Sequence, residues 1–371
     1  RDTDRSRGLG DVYKRQGIES TRYLAVDESR MLADPARYYK GGKPDLQLFD
    51  KKLYEVNPDD KVAIARAAAE EVLGKDERII SVDSSYSDGE GSSYRLISNG
   101  FEGESKSTWF SVSASVSIKG EGEARPQDYW YDSALFYDKL TKTGIGAKAL
   151  ERVLRKLGQK KAKSGKYTMV VDPMNVGNLL SPMLSALYGS ALQQKNSFLM
   201  DKLDTKVASD LFTLRDEPHA IGANGSRYFD NEGVATEPRT VFDKGVLKTY
   251  FIDTYNGKKM DIAPTISAPS RLILTPGDKD LNGLVADIKQ GILVTGFNGG
   301  NSNSSTGDFS YGIEGFLIED GKLTQPVNEM NVTGNMVTLW NSLVAVGNDP
   351  QPNRSWQIPS LVFEGVDFSG L

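Results

Sequence analysis

From Phe110 to Ile118 the chain alternates strictly. Phe110, Val112, Ala114, Val116 and Ile118 are apolar, and Ser111, Ser113, Ser115 and Ser117 between them carry hydroxyls. A period of two is that of a strand with one face in a core. The serine-lined face suits a polar ligand, and a half-buried antiparallel sheet explains it equally well. Upstream, Asp59-Asp60 followed by KVAIARAAAEEVLGK predicts an Asp-capped helix ending near Gly74. The next stretch, RIISVDSSYSDGEGSSYRLISNG, predicts a hairpin turning at Asp88-Gly89. Trp130 and the tyrosines of DYWYDSALFYDKL are expected to cover the apolar side of the 110–118 strand. A helical period returns over 147–158, with Ala149, Leu150, Val153, Leu154 and Leu157 on one side.

Beyond a lysine-rich stretch, YTMVVDP reads as a short buried strand, which puts the expected domain boundary near Lys163. A helix is predicted over NVGNLLSPMLSALYGSALQQ, then two hairpins with glycine turns, VFDKGVLKTYFID and GFLIEDGKLTQP. DLNGLVADIKQG reads as helix, and SWQIPSLVFEGVDF as a closing strand. Runs of antiparallel strands with a few helices predict an α+β fold of two domains, with largely antiparallel or mixed sheets. Residues 1–16, RDTDRSRGLGDVYKRQ, have no start Met, no periodicity and little apolar content, and are read as a foreign extension. The expected organisation is therefore 1–16 as extension, 17–163 as an N-terminal α+β domain truncated at its start, and 164–371 as a strand-rich C-terminal domain.

Composition narrows the partners. The 371 residues are 38% hydrophobic and 26% charged, ordinary values for a globular protein. No apolar run approaches the ~18 residues of a membrane span, and no apolar segment follows the basic N-terminus as in a signal peptide. No membrane association is expected, and the absence of cysteine agrees with a cytoplasmic home. Four glycosylation sequons, at Asn224, Asn303, Asn331 and Asn353, read as chance. Setting aside the five basic and three acidic residues of 1–16 takes the net charge from −5 to −7. That acidic body argues against direct nucleic-acid binding. A basic run does extend from Arg152 to Lys166, but no aromatic interleaves it before Tyr167, so it reads as a solvated helix end.

The chain has one histidine, His219, and no cysteine. That excludes a Cys/His zinc cluster, a cysteine nucleophile and an Fe–S centre. His219 has Asp216 and Glu217 nearby, but no activated serine accompanies it, and a loop or edge histidine is the default. Gly158–Lys166 has the wrong spacing for a phosphate loop. Asp230, Asn231, Glu232 and Gly233 offer carboxylates for a divalent cation, though a turn is the simpler reading. Gly299, Gly300, Asn301, Ser302 and Asn303 are the better candidate. Paired glycines permit close approach of another backbone, and the asparagines can bond peptide groups. Phe309, Tyr311 and Ile313 follow as a strand beside which an extended peptide can add. A glycine turn joining two strands is the alternative.

Two long strings, SRYFDNEGVATEPRTVFDKGVLKTYFIDTYNGKKM and GILVTGFNGGNSNSSTGDFSYGIEGFLIEDGKLTQPVNEMNVTGNM, resemble the C-terminal half of the TldD/PmbA family, also called modulators of DNA gyrase. The resemblance runs from Gly17 to Leu371. It implies a cytoplasmic metallopeptidase system that works with a paralogous partner on unfolded peptides. TldD-type chains of the family carry HExxxH on the helix after the first C-terminal strand, and a later cysteine, as metal ligands. Here Ser181 stands at the first histidine, Pro182 at the glutamate and Ala186 at the second histidine. The resemblance therefore implies the PmbA/TldE branch: a subunit without a catalytic residue or metal of its own, with zinc or a similar metal expected in a TldD-type partner. The alternative is a stand-alone homodimeric peptide-binding protein or hydrolase.

Overall fold

In a computed structural model, residues 2–371 are described, with side chains from Asp11 onward. Six elements come first: α1 (Asp2–Thr21), α2 (Pro58–Glu70), β1 (Ile79–Ile97), β2 (Phe101–Ile118), β3 (Gln127–Ala134) and α3 (Ile145–Leu154). They are followed by β4 (Gly165–Val171), α4 (Gly177–Ser185), α5 (Gly189–Gln193), β5 (Leu214–Asp216), β6 (Arg239–Asp243) and β7 (Val246–Leu247). Next come α6 (Thr254–Met260), β8 (Leu272–Leu274), α7 (Leu281–Ala286), β9 (Gln290–Ser302) and β10 (Asp308–Glu319). The chain ends with β11 (Lys322–Asn335), α8 (Met336–Asn341), β12 (Leu343–Val346), β13 (Trp356–Gln357) and β14 (Leu361–Ser369). Strands and helices segregate into three sheets with separate helices, so the fold is α+β.

The first sheet is the antiparallel meander β1-β2-β3. Phe110, Val112, Ala114, Val116 and Ile118 are at most 1% exposed, and they pack on Ala68 of α2 and on Ile145, Ala149 and Val153 of α3. The intervening serines face outward, and Trp130 lies half-buried against the same core, opposite Ala114. Asp88-Gly89 is not a turn. β1 runs straight through it, because β2 needs a partner along its whole length, and the chain reverses at Asn99-Gly100, where Gly100 has φ +107°. The α2 cap is Asn57, whose side chain accepts from Asp60 N. Asp59 and Asp60 instead supply negative charge to the first turn.

The second sheet has the order β11-β10-β9-β4-β14-β12, and β11 also pairs with the end of β14, so the sheet curls back on itself. The third is β13-β8-β5-β6-β7. Both glycine hairpins form with two-residue turns at positive φ, Lys244-Gly245 and Asp320-Gly321, the geometry that matches strand twist. The helix expected over 175–194 is broken into α4 and α5, because Tyr188 is extended and bridges to Phe251. The closing strand is likewise split by Pro359, which separates β13 from β14.

Two devices join the first sheet to the rest. Phe101, at the start of β2 and 1% exposed, inserts between Tyr38 and Phe229, with ring centroids 5.2 and 5.1 Å away. Asp128 of β3 pairs with Arg152 of α3 and with Lys156 just beyond its end, both at 3.2 Å, and Lys156 reaches Glu314 of β10 at 2.7 Å. The basic run is thus not uniformly a solvated helix end. Arg152 and Lys156 are half-buried ion-pair partners, while Arg155, Lys161 and Lys166 are exposed. The stretch read as a foreign extension falls within helix α1, which is exposed from Asp11 to Thr21, except Arg1, which lies outside the described residues.

Candidate functional site

β4 is buried along Met169–Val171 and delivers the chain through Asp172-Pro173 to α4. Leu179, Leu180, Met183 and Leu184 fix α4 to the core, each no more than 2% exposed. Ser181 and Ser185 therefore face outward, and Ala186 turns inward at 1% exposure. Five helical residues rotate the side chain by about 140°, so Ser181 and Ala186 do not share a face. Pro182 sits inside the helix, where it removes a backbone donor. A hydroxyl, a ring carbon and a methyl on diverging faces do not fit a divalent metal. Among the described residues no group of three His, Cys, Asp or Glu is placed to hold one.

The acidic and histidine candidates are structural in their contacts. His219 meets Thr236 Oγ1 at 3.1 Å and packs near the Tyr228 ring. Burial, with help from Lys43, holds its pKa below the ordinary value. Asp216 is spent on the amides of Ser270 and Arg271, and Glu217 pairs with Arg215, so neither orients the imidazole. Asp230 Oδ1 accepts from Glu232 N and Val234 N, and Glu232 accepts from Thr254 N and Oγ1. These carboxylates build a turn.

Gly299 to Ser302 form the far end of β9, and Asn303 starts the loop to β10, its Oδ1 accepting from Ser305 N and Thr306 N. The close approach that Gly300 permits is by the chain's own β10: a Cβ there would lie 2.1 Å from Ser310 O, at φ +96°. β10 is paired on both edges, to β9 and to β11, so no peptide can add beside Phe309–Ile313. The open edge belongs to β9. Its pairing with β4 covers Gly291–Val294 only, and Asn298–Asn301 are exposed. β4 vacates that lane when it turns at Asp172.

Asp172 escaped the sequence reading, although an acid closing an apolar run just before proline is a visible signal. Its side chain is 5% exposed, and Oδ1 accepts from Asn175 N at 3.0 Å and Nδ2 at 2.7 Å. Burial pushes its pKa up to about 6, against the opposing pull of Asn175 and Arg152. It lines a cleft of about 600 Å³ between α3 and the second sheet.

The description "PmbA/TldA metallopeptidase C-terminal domain" matches residues 164–370, and "PmbA/TldA metallopeptidase central domain" matches 51–157. The chain belongs to the PmbA/TldD family. A candidate modulator of DNA gyrase from Bacteroides thetaiotaomicron is 72% identical, with TM-score 0.96 over 98% of this chain and 84% of its own. The Metalloprotease PmbA homolog of Haemophilus influenzae is 29% identical over 94% of this chain and 78% of its own length. TldE from Thermococcus kodakarensis, 22% identical with TM-score 0.78 over 96% of this chain and 83% of its own, shares the fold. α4 itself, GNLLSPMLS, carries no His, Cys, Asp or Glu.

Proposed function

We propose that this chain is the non-catalytic subunit of a two-component metallopeptidase for unfolded peptides, paired with a TldD-type paralogue that holds the zinc or similar metal. The observation that carries the reading is the open edge of β9 from Gly296 to Ser302, which lies in the lane that β4 leaves as it passes into α4. An added strand gains backbone hydrogen bonds that do not depend on its sequence, as a peptidase for unfolded chains requires. The exposed stretch Asn298–Asn301 carries no charge, and charge is the usual device that keeps foreign strands off an edge. The reading retains Gly299–Asn303 as peptide-contacting residues, now through β9 rather than β10. It also takes 17–163 and 164–371 as the two working units and a cytoplasmic location, with neither nucleic acid nor membrane as a direct partner.

The test is metal content and peptidase activity of the purified chain alone and after mixing with a TldD-type protein. Activity that appears only in the mixture, with the metal on the partner, is the expected result. Hydrolysis by this chain alone, or assembly with itself and not with the partner, favours a stand-alone homodimer and overturns the proposal.

A further inference from the structure

β4 and β9 run parallel, with Val171 level with Val294. The lane beside Gly296–Ser302 therefore continues the line of β4 in the direction β4 itself runs. At the head of that lane two groups already complete the edge: Asp172 N donates to Val294 O at 3.3 Å, and Asn175 Nδ2 to Thr295 O at 2.8 Å. The 600 Å³ cleft opens at the same place, reaching Thr295, Met174, Asn282 and Trp130 as well as Asp172.

Within this cleft Asp172 is the buried acid that still has acceptor capacity. The hydrogen bonds from Asn175 both land on Oδ1, the Met174 amide adds a weaker pull on the carboxylate, and Oδ2 accepts none of the hydrogen bonds among the described residues. Asp349 is occupied by Leu281 N and by Ser360 N and Oγ, and Asp280 Oδ1 caps Gly283 N. The cations on the α3 wall are neutralised in place. Arg152 pairs with Asp128, and Lys148 and Arg155 both pair with Glu151. Lys322 at the rim has no ion pair among the described residues.

We propose that Asp172 anchors the amino-terminal ammonium of a peptide lying along the open edge of β9, so that the bound strand runs parallel to β9. The inference rests on the reading of that edge as a peptide site and adds its polarity and a preference for a free α-amino group. An ammonium at Oδ2 makes a charge-assisted hydrogen bond inside a desolvated site, the stronger kind of polar contact. A strand of the opposite direction brings its carboxylate against Asp172, where two like charges in a poorly solvated cleft repel. The raised pKa of Asp172 agrees with a carboxylate whose burial outweighs the pull of Arg152, which is itself paired with Asp128.

The test is fluorescence anisotropy at pH 7.5 with an unstructured peptide carrying a dye near its carboxyl end. Three forms are compared: unmodified, N-acetylated and C-amidated. The purified wild-type chain is expected to bind the acetylated form about tenfold more weakly than the unmodified one, and the amidated form as well as the unmodified one. Asp172→Asn, which keeps the Oδ1 acceptor, is expected to lose the distinction and bind both at the weaker level. Hydrogen exchange of the 296–302 amides, read with each peptide, reports the edge independently. Protection of those amides with equal affinity for free and acetylated peptides overturns the anchor and leaves the edge reading standing. A preference that follows amidation instead overturns the polarity. No protection with any peptide sinks the edge reading and the anchor with it. The acetylation comparison needs no substitution, so a poorly folded variant does not blunt it.

Discussion

Asp172 shows how a single buried carboxyl ties stability to binding. Its pKa in the folded chain is raised from 3.8 to about 6 by burial, so the folded state holds the proton more tightly than the unfolded chain does. The stabilisation is therefore fully present below the unfolded value near pH 4 and is lost as pH rises through about 6. At pH 7.5 the ionised group costs on the order of 3 kcal/mol. Asp172→Asn is expected to be more stable than wild type by about that amount at pH 7.5, with the gap closing towards pH 4. Urea unfolding at both pH values checks this, and a variant no more stable at pH 7.5 contradicts the burial argument. A group that weakens the fold at working pH is the kind retained at functional sites. Gly300 makes the contrasting case. Its Cβ would strike Ser310 O, whereas at Gly299 nothing lies within 4 Å and only the positive φ opposes a side chain. Gly300→Ala is expected to cost about 2 kcal/mol or more and Gly299→Ala about 1 kcal/mol, measured by denaturant unfolding. Bulky substitution at Gly300 thus disturbs β9 itself and cannot serve as a probe of peptide approach.

At the scale of elements, periodicity was legible wherever one face met a core and the other met solvent. The 110–118 alternation is β2, and the Ala149, Leu150 and Val153 stripe is the buried side of α3. The glycine hairpins were also readable, since two successive positive-φ residues leave a local mark. Errors arose where tertiary pairing overrode a local signal. Asp88-Gly89 reads as a turn, yet its residues pair with Phe110 and Trp109 because an 18-residue β2 demands a long partner. The open edge of β9 was not legible at all, since which strand flanks which is a fact of sheet order rather than of any one segment. The role of Phe101 was hidden for the same reason: nothing in FEGESK says that its ring enters the core of the second half. Phe101→Ala is expected to cost about 3–5 kcal/mol. Because the residue joins two units, the loss should appear as separate melting of the first sheet rather than as a uniform shift. Calorimetry that shows one unsplit transition at unchanged temperature contradicts this role.

For the whole molecule, the decisive contrast is between a fold shared with metallopeptidases and a helix that offers no ligand. The family description spans most of the chain, and the overall path matches TldE. Yet α4 presents Ser181 outward and Ala186 inward around Pro182, and the chain contains one histidine and no cysteine. A site for zinc needs three or four converging nitrogen, sulfur or carboxylate donors, and restoring one or two residues does not supply that. Ser181→His with Ala186→His is therefore expected to bind no stoichiometric zinc, and the inward histidine should destabilise the core by about 2 kcal/mol or more, because it buries a polar ring where a methyl packs. The unaltered chain should likewise purify without one equivalent of zinc, measured by elemental analysis on tag-free protein. Peptidase activity should then appear on mixing with a TldD-type partner, disappear with a chelator, and return with metal added to the partner and not to this chain. Tight equimolar zinc on this chain alone, with hydrolysis to match, would show that the metal is held by residues outside α4 and would give this chain the catalytic role.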